Sequence, residues 1–230
     1  AAAAAAPAGL TLSAELDANS CYVWRGLRLS EGAVLNPSVT AAWGATSLNL
    51  WSNVAADRRA APALDELDAT LATSWTFAGF ALRPNLLVYT YYDGEPATGE
   101  LFLEIAHPLH GPLGTFVRRA QDVSRHPGSS YSSAGVSASL PSWHGWALAG
   151  EASAARGSAA FASVYVDPAF DRLAVLDTNA SATWTARGGT YVRVHADWSR
   201  AGAAFSGARI PDPAPFAAGV ALGWAPPGAP

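Results

Sequence analysis

From Leu10 the chain alternates: Leu10, Leu12, Ala14, Leu16 and Ala18 are apolar, while Thr11, Ser13, Glu15, Asp17 and Asn19 between them are polar. Successive side chains of a strand point to opposite faces, so a period of two predicts a strand with one apolar and one polar side. The pattern returns in Val39-Ala41-Trp43 against Ser38-Thr40, Leu48-Leu50 against Asn49, Leu67-Ala69-Leu71 against Glu66-Asp68-Thr70, Leu101-Leu103-Ile105 against Glu100 and Glu104, and Val136-Ala138-Leu140 against Ser137 and Ser139. Late in the chain it recurs in Ala180-Ala182-Trp184, Val192-Val194-Ala196-Trp198 and Val220-Leu222-Trp224. Little of the sequence is left for helices. Two places break the period. Pro84 has no N–H for a ladder and predicts a bulge. Arg118 and Arg119 cannot share a face, so one of them snorkels or marks a change of register.

The connections alternate in length. Ala41 to Ser47, Phe77 to Phe80, His107 to Pro112, Ser142 to Trp146 and Arg187 to Gly189 are short. Leu27 to Asn36, Ala55 to Leu64, Tyr92 to Ala97, Val123 to Ser130, Arg156 to Asp171 and Arg200 to Pro215 are longer and rich in Arg, Asp, Gly, Pro and Ser. Strands running up and down between a turn end and a loop end account for this, with roughly twelve strands in residues 10–225. Ala1 to Gly9 reads as a disordered or processed segment, and residues 226–230 as a tail.

Composition decides what the apolar face meets. The 230 residues are 50% hydrophobic but only 14% charged, too few charges to keep a soluble exterior wet. No apolar run approaches the roughly 18 residues of a membrane helix. The chain is therefore expected to be all-β: a transmembrane antiparallel up-and-down β-barrel of about 12 strands, placed in a bacterial outer membrane. Aromatic residues fit that reading. Trp43, Trp75, Trp143, Trp146, Trp184 and Trp224 adjoin short turns, while Tyr22, Trp24, Tyr89, Tyr91, Trp198 and Phe216 adjoin long loops, as two interfacial girdles would.

The segment Ser20 to Leu27 (SCYVWRGL), the Pro37 strand (PSVT) and Leu50 to Val54 (LWSNV) resemble the TorF-type family of proteobacterial porins, with its Tyr-x-Trp/Phe-Arg-Gly motif. That resemblance spans about the first quarter of the chain and implies an outer-membrane barrel of porin-like function. Cys21 stands where the family usually has Asp or Lys, and Trp224 is followed by Ala225 to Pro230 rather than ending the chain.

If the apolar faces meet lipid, the polar faces line a lumen. Parity assigns to it the acids Glu15, Asp17, Glu66, Asp68, Glu100, Glu104, Glu151, Asp177 and Asp197. It also assigns Arg25, Arg83, Arg193, His195 and one of Arg118 or Arg119. Small residues such as Ala147, Ala149, Ser137, Ser139, Gly219, Ala221 and Gly223 predict room for a narrow, weakly cation-preferring passage for ions or small solutes. The other reading is a salt-bridged plug, in which the barrel is a scaffold whose long loops, with Phe161, Phe170 and Phe205, meet a periplasmic or surface protein.

Other chemistries find less support. His195, Asp197 and Ser199 alternate along one strand, a spacing that does not bring a nucleophile to a base, so no enzyme is expected. The histidines do not converge at metal-ligand spacing, and no cofactor or metal is implied. Asp57, Asp93, Glu95, Asp167 and Asp171 lie in loops that would face lipopolysaccharide, with cations bridging to its phosphates. A net charge of −4 with no lysine gives no footprint for nucleic acid. Cys21 reads as a small strand residue.

Overall fold

The computed structural model describes residues 9–56, 63–92, 94–168, 170–202 and 213–227. Asp57, Asp93, Phe205 and the residues before Gly9 and after Pro227 lie outside them, as do parts of four of the long connections.

The strands are β1 (Leu10–Asn19), β2 (Val23–Trp24), β3 (Leu27–Arg28), β4 (Val34–Trp43), β5 (Thr46–Ala55), β6 (Ala63–Thr73), β7 (Trp75–Phe77) and β8 (Phe80–Tyr91). They continue with β9 (Thr98–Pro108), β10 (Leu113–Asp122), β11 (Ser130–Ser139) and β12 (Trp146–Gly157). A short helix α1 (Ala159–Tyr165) precedes β13 (Leu173–Thr185), β14 (Thr190–Gly202) and β15 (Phe216–Trp224). Each large strand pairs antiparallel with its neighbours, and β1 pairs with both β4 and β15. With β6 and β7 forming one stave against β8, the ring closes on twelve staves. Closure leaves the described barrel wall without an open edge, which the hydrocarbon region would not tolerate because nothing there can hydrogen-bond a free N–H or C=O.

The alternation resolves as inside and outside. Leu10, Leu12, Leu16, Val39, Leu48, Leu50, Leu101, Val117, Val136, Leu176, Val220 and Leu222 are all exposed on the exterior. Among the described residues, no helix is long and apolar enough to cross a membrane. Trp43, Trp75, Trp143, Trp146, Trp184 and Trp224 ring the turn end, with Trp224 Nε1 donating to Gly188 O at 3.0 Å. Trp198 and Phe216 face outward toward the loop end.

Pro84 resolves differently from expectation, and the arginine pair resolves in one of the two ways expected. Pro84 makes no bulge: β8 keeps one register with β9 from Ala81 to Tyr89. Instead the facing stave's pairing with β8 lapses at Thr73 and Ser74, across from Pro84, which has no N–H to give, and Arg83, and resumes as β7 in the same register. The bulge lies in β6, where Asn53 faces Glu66 but Val54 faces Leu64. At the arginine pair no register changes. Arg118 points inward, while Arg119 points outward near the loop end of β10 and hydrogen-bonds Ser132 and Gln121, within reach of the interface. The seven-residue α1 falls in a segment read as loop. Ser158 caps it by accepting from the Phe161 N–H, and the apolar residues after the cap bury Phe161 and Ala162.

Candidate functional site

After β1 the chain turns back into the barrel. Strands β2 and β3 form a hairpin whose two-residue turn is Arg25-Gly26, both with positive φ (50° and 78°). Such a turn matches strand twist, and glycine at its second position carries no steric cost. The tip reaches the wall: a Cβ on Gly26 would lie 2.6 Å from Val175 Cγ1. Arg25 donates from Nη1 and Nη2 to the two oxygens of Glu100 on β9, at 2.8 and 2.6 Å. Its guanidinium lies 4.4 Å from the Trp24 ring centre and 5.1 Å from that of Tyr131. Tyr89 Oη donates to the same carboxylate at 2.9 Å. Helix α1 holds the hairpin from the loop end, with Phe161 stacked on Trp24 at 5.6 Å. Phe161, Phe170, Leu173, Val175, Tyr131 and Leu27 form an apolar core inside the barrel.

The hairpin divides the interior. A cavity of about 710 Å³ lies along the inner wall, bordered by Glu15, Asp17, Glu104, Arg118, Glu151, Asp177, His195 and Asp197 and by Arg25 itself. A second, of about 400 Å³, opens toward the long loops between Trp24, Tyr89, Tyr91 and Tyr165. Tyr22 borders both. Burial raises the Tyr165 phenol to about 12, so that ring stays neutral at physiological pH. A third space of about 380 Å³ sits toward the turn end beside Arg83 and Glu104.

Ionic groups on the wall are tied between strands, some of them across an intervening strand. Arg118 bonds Glu104 at 2.6 Å and both oxygens of Glu151 at 2.8 and 3.0 Å, and Arg83 also pairs with Glu104. Arg118 in turn lies 3.8 Å above the Phe116 ring, which fills the space at Gly135. Asn19, Asn36 and Asn53 form an amide ladder over β1, β4 and β5, each link 2.9 Å.

The join between the last and first strands has its own logic. Tyr191, Arg193 and His195 of β14 lie over Gly223, Ala221 and Gly219 of β15 to reach β1. Tyr191 Oη donates to Glu15 at 2.7 Å, Arg193 Nη2 donates to Glu15 at 2.8 Å, and His195 Nε2 meets Asp17 Oδ1 at 3.0 Å. The small residues of β15 are thus no source of open lumen, as parity had suggested. Their missing side chains make room for those of β14.

All nine expected acids face the interior, with Arg25, Arg83, Arg118, Arg193 and His195. Glu66 and Asp68 are buried on the β6 wall, and Asp68 Oδ1 has no hydrogen-bond partner among the described residues. Ser199 donates to Asp177 at 2.6 Å rather than to His195, whose Nδ1 meets Asp197 at 3.2 Å. No group of three or more His, Cys, Asp or Glu converges on a metal position among the described residues.

Several aromatic residues lie elsewhere than expected. Tyr22 and Trp24 leave the loop-end girdle because their segment folds inward, and Tyr89 and Tyr91 leave it because their parity is that of the inner face. Phe161 and Phe170 are buried within the barrel, not displayed for a partner. Sequence reasoning missed the lumenal Trp51, Phe116, Tyr131 and Tyr191. The signal was there, since each shares parity with polar residues of its own strand, as Tyr191 does with Arg193, His195 and Asp197. Cys21 is buried, its thiol 3.3 Å from the Phe216 carbonyl.

No family model matches the sequence, and no curated protein matches it. Among solved structures the chain is similar to the NanC porin, with a TM-score of 0.56 and 8% identity over 94% of this chain and 98% of that one. It is also similar to an outer-membrane channel of Pseudomonas putida F1, with a TM-score of 0.55 and 10% identity over 96% of each chain. At such identities the likeness concerns the fold, a barrel of the outer-membrane type.

Proposed function

We propose that the protein is a passive channel of the bacterial outer membrane, admitting ions and small solutes with a weak preference for cations. The observation that carries this reading is the excess of carboxylates over arginines on a cavity of about 710 Å³, bordered by six acids, Glu15, Asp17, Glu104, Glu151, Asp177 and Asp197, and two arginines, Arg25 and Arg118. Carboxylate rings raise the local concentration of cations and repel anions at the narrow part of a pore. The fold shared with the NanC porin and the Pseudomonas channel supports it. So does the resemblance to TorF-type porins, because its Tyr-x-Trp-Arg-Gly residues, Tyr22 to Gly26, are those of the inserted hairpin. The reading is non-enzymatic and calls for no cofactor. In a planar bilayer under a salt gradient, a reversal potential of cationic sign is expected. Anion preference or absent conductance contradicts it.

A second reading rests on the hairpin and α1, which fill the loop half of the barrel and are fastened by Arg25 and Glu100. On that reading the lumen is plugged and the barrel is a scaffold, with lipopolysaccharide around it and a periplasmic or surface protein bound to it. A stoichiometric partner in a mild-detergent pulldown, together with a non-conducting barrel, favours the scaffold.

A further inference from the structure

The loop-side cavity has no part in the selectivity argued above. It is walled by the rings of Tyr22, Trp24, Tyr89, Tyr91 and Tyr165, with Glu66 below and Glu95 toward the loops. The rings stand as the sides of a box. Trp24 meets Tyr89 at 85° and 6.3 Å and Tyr165 at 65° and 5.1 Å, whereas Tyr89 and Tyr91 are parallel within 3°. The cationic side chains on the cavity are Arg125 and, when protonated, His126. Glu100, on the wall behind, is already paired with Arg25, so the acids that face the cavity are Glu66 and Glu95.

Aromatic faces carry negative potential, and a cage of several attracts cations that shed water easily. A bare metal ion does not fit that description: it keeps its water or takes oxygen ligands. An alkylated ammonium does, because its methyl groups contact ring faces while its charge is spread and weakly hydrated. The cluster already accepts such a cation on one side, where the Arg25 guanidinium sits 4.4 Å from the Trp24 ring centre. A volume of about 400 Å³ leaves room for a small ligand.

Resting on the channel reading, we propose that this vestibule binds alkylated ammonium ions of choline size and concentrates them at the loop mouth of the passage. Aromatic rings beside carboxylates also suit a sugar. Glu66 and Glu95 on the cavity favour the cation, because a neutral sugar gains little from their charge.

The test is isothermal titration calorimetry on the folded full chain in detergent, with choline chloride and with 3,3-dimethylbutan-1-ol, in which carbon replaces the charged nitrogen. Choline is expected to bind about tenfold more tightly than this neutral isostere. Tyr91→Leu and Glu95→Gln are each expected to weaken choline binding severalfold, with folding checked by heat-modifiable gel mobility. The wild-type comparison needs no variant. Equal affinities, no choline binding, or tighter binding of a neutral hexose overturns the proposal. Because calorimetry does not require conductance, charge-dependent binding by a non-conducting barrel sinks the channel and keeps the site. Conductance without such binding does the reverse.

Discussion

Arg25 and Glu100 meet 75 residues apart in the chain through two hydrogen bonds, in a pair whose side chains are 12% and 2% exposed. A bidentate arginine fixes direction as well as distance, so this contact holds the hairpin at one depth in the barrel. Both charges are largely removed from water, and removing one leaves the other stranded.

Arg25→Ala should therefore free the hairpin tip and raise single-channel conductance, while lowering stability to urea by about 3–5 kcal/mol. The double variant Arg25→Ala with Glu100→Ala should recover part of that stability and keep the higher conductance, because no buried charge is left unpaired. An unchanged conductance in both would show that the hairpin does not limit the passage.

The β14 side chains that cross β15 at the seam give a sterically defined prediction. A methyl at Gly219 would lie 2.2 Å from Asn19 Oδ1 and 2.5 Å from His195 Nε2. Gly219→Ala should push His195 off Asp17 and cost about 1–3 kcal/mol in denaturant titrations of the folded barrel. Gly202→Ala, where nothing lies within 4 Å, should change stability little. Equal effects of the two would mean that the seam contacts contribute nothing to closure.

The exterior predicts its own sensitivity. Val136 is exposed on the lipid face near the middle of β11, and Val136→Arg should cost about 2–4 kcal/mol when folding into vesicles is followed by gel mobility. Arg119→Leu should be close to neutral, since Arg119 sits three residues from the loop end of β10 and reaches the interface. A tolerated arginine at 136 would place that surface outside the hydrocarbon.

The barrel was legible because lipid on one side and water on the other impose strict alternation, and Leu10 to Asn19 already display it. Parity then sorted the wall charges, leaving open only which of Arg118 and Arg119 turns inward, and the structure turns Arg118 in. What parity cannot reach is where a loop goes. Tyr22 and Trp24 adjoin a long connection, as interfacial aromatics do, and only the Arg25-Gly26 turn with the distant Glu100 and Val175 sends them inward. Small residues misled for a related reason. Gly219 and Gly223 look the same in sequence whether they leave a void or are covered by His195 and Tyr191 from the next strand.

Ion preference supplies the remaining prediction. Glu104 and Glu151 share Arg118, and Glu15 and Asp17 share Arg193, so these acids are partly neutralised. Asp177 and Asp197 border the same cavity with a serine, a tyrosine and a histidine as partners in place of an arginine. They should contribute most to the field felt by a passing ion. Asp177→Asn with Asp197→Asn should move the reversal potential toward zero, whereas Glu151→Gln should move it less and should also loosen Arg118. The effect should be largest in dilute salt, where screening lengths are about 10 Å at 0.1 M, and should fade near 1 M, where they are about 3 Å. A reversal potential that ignores the double substitution at low salt would remove the carboxylate wall as the source of selectivity.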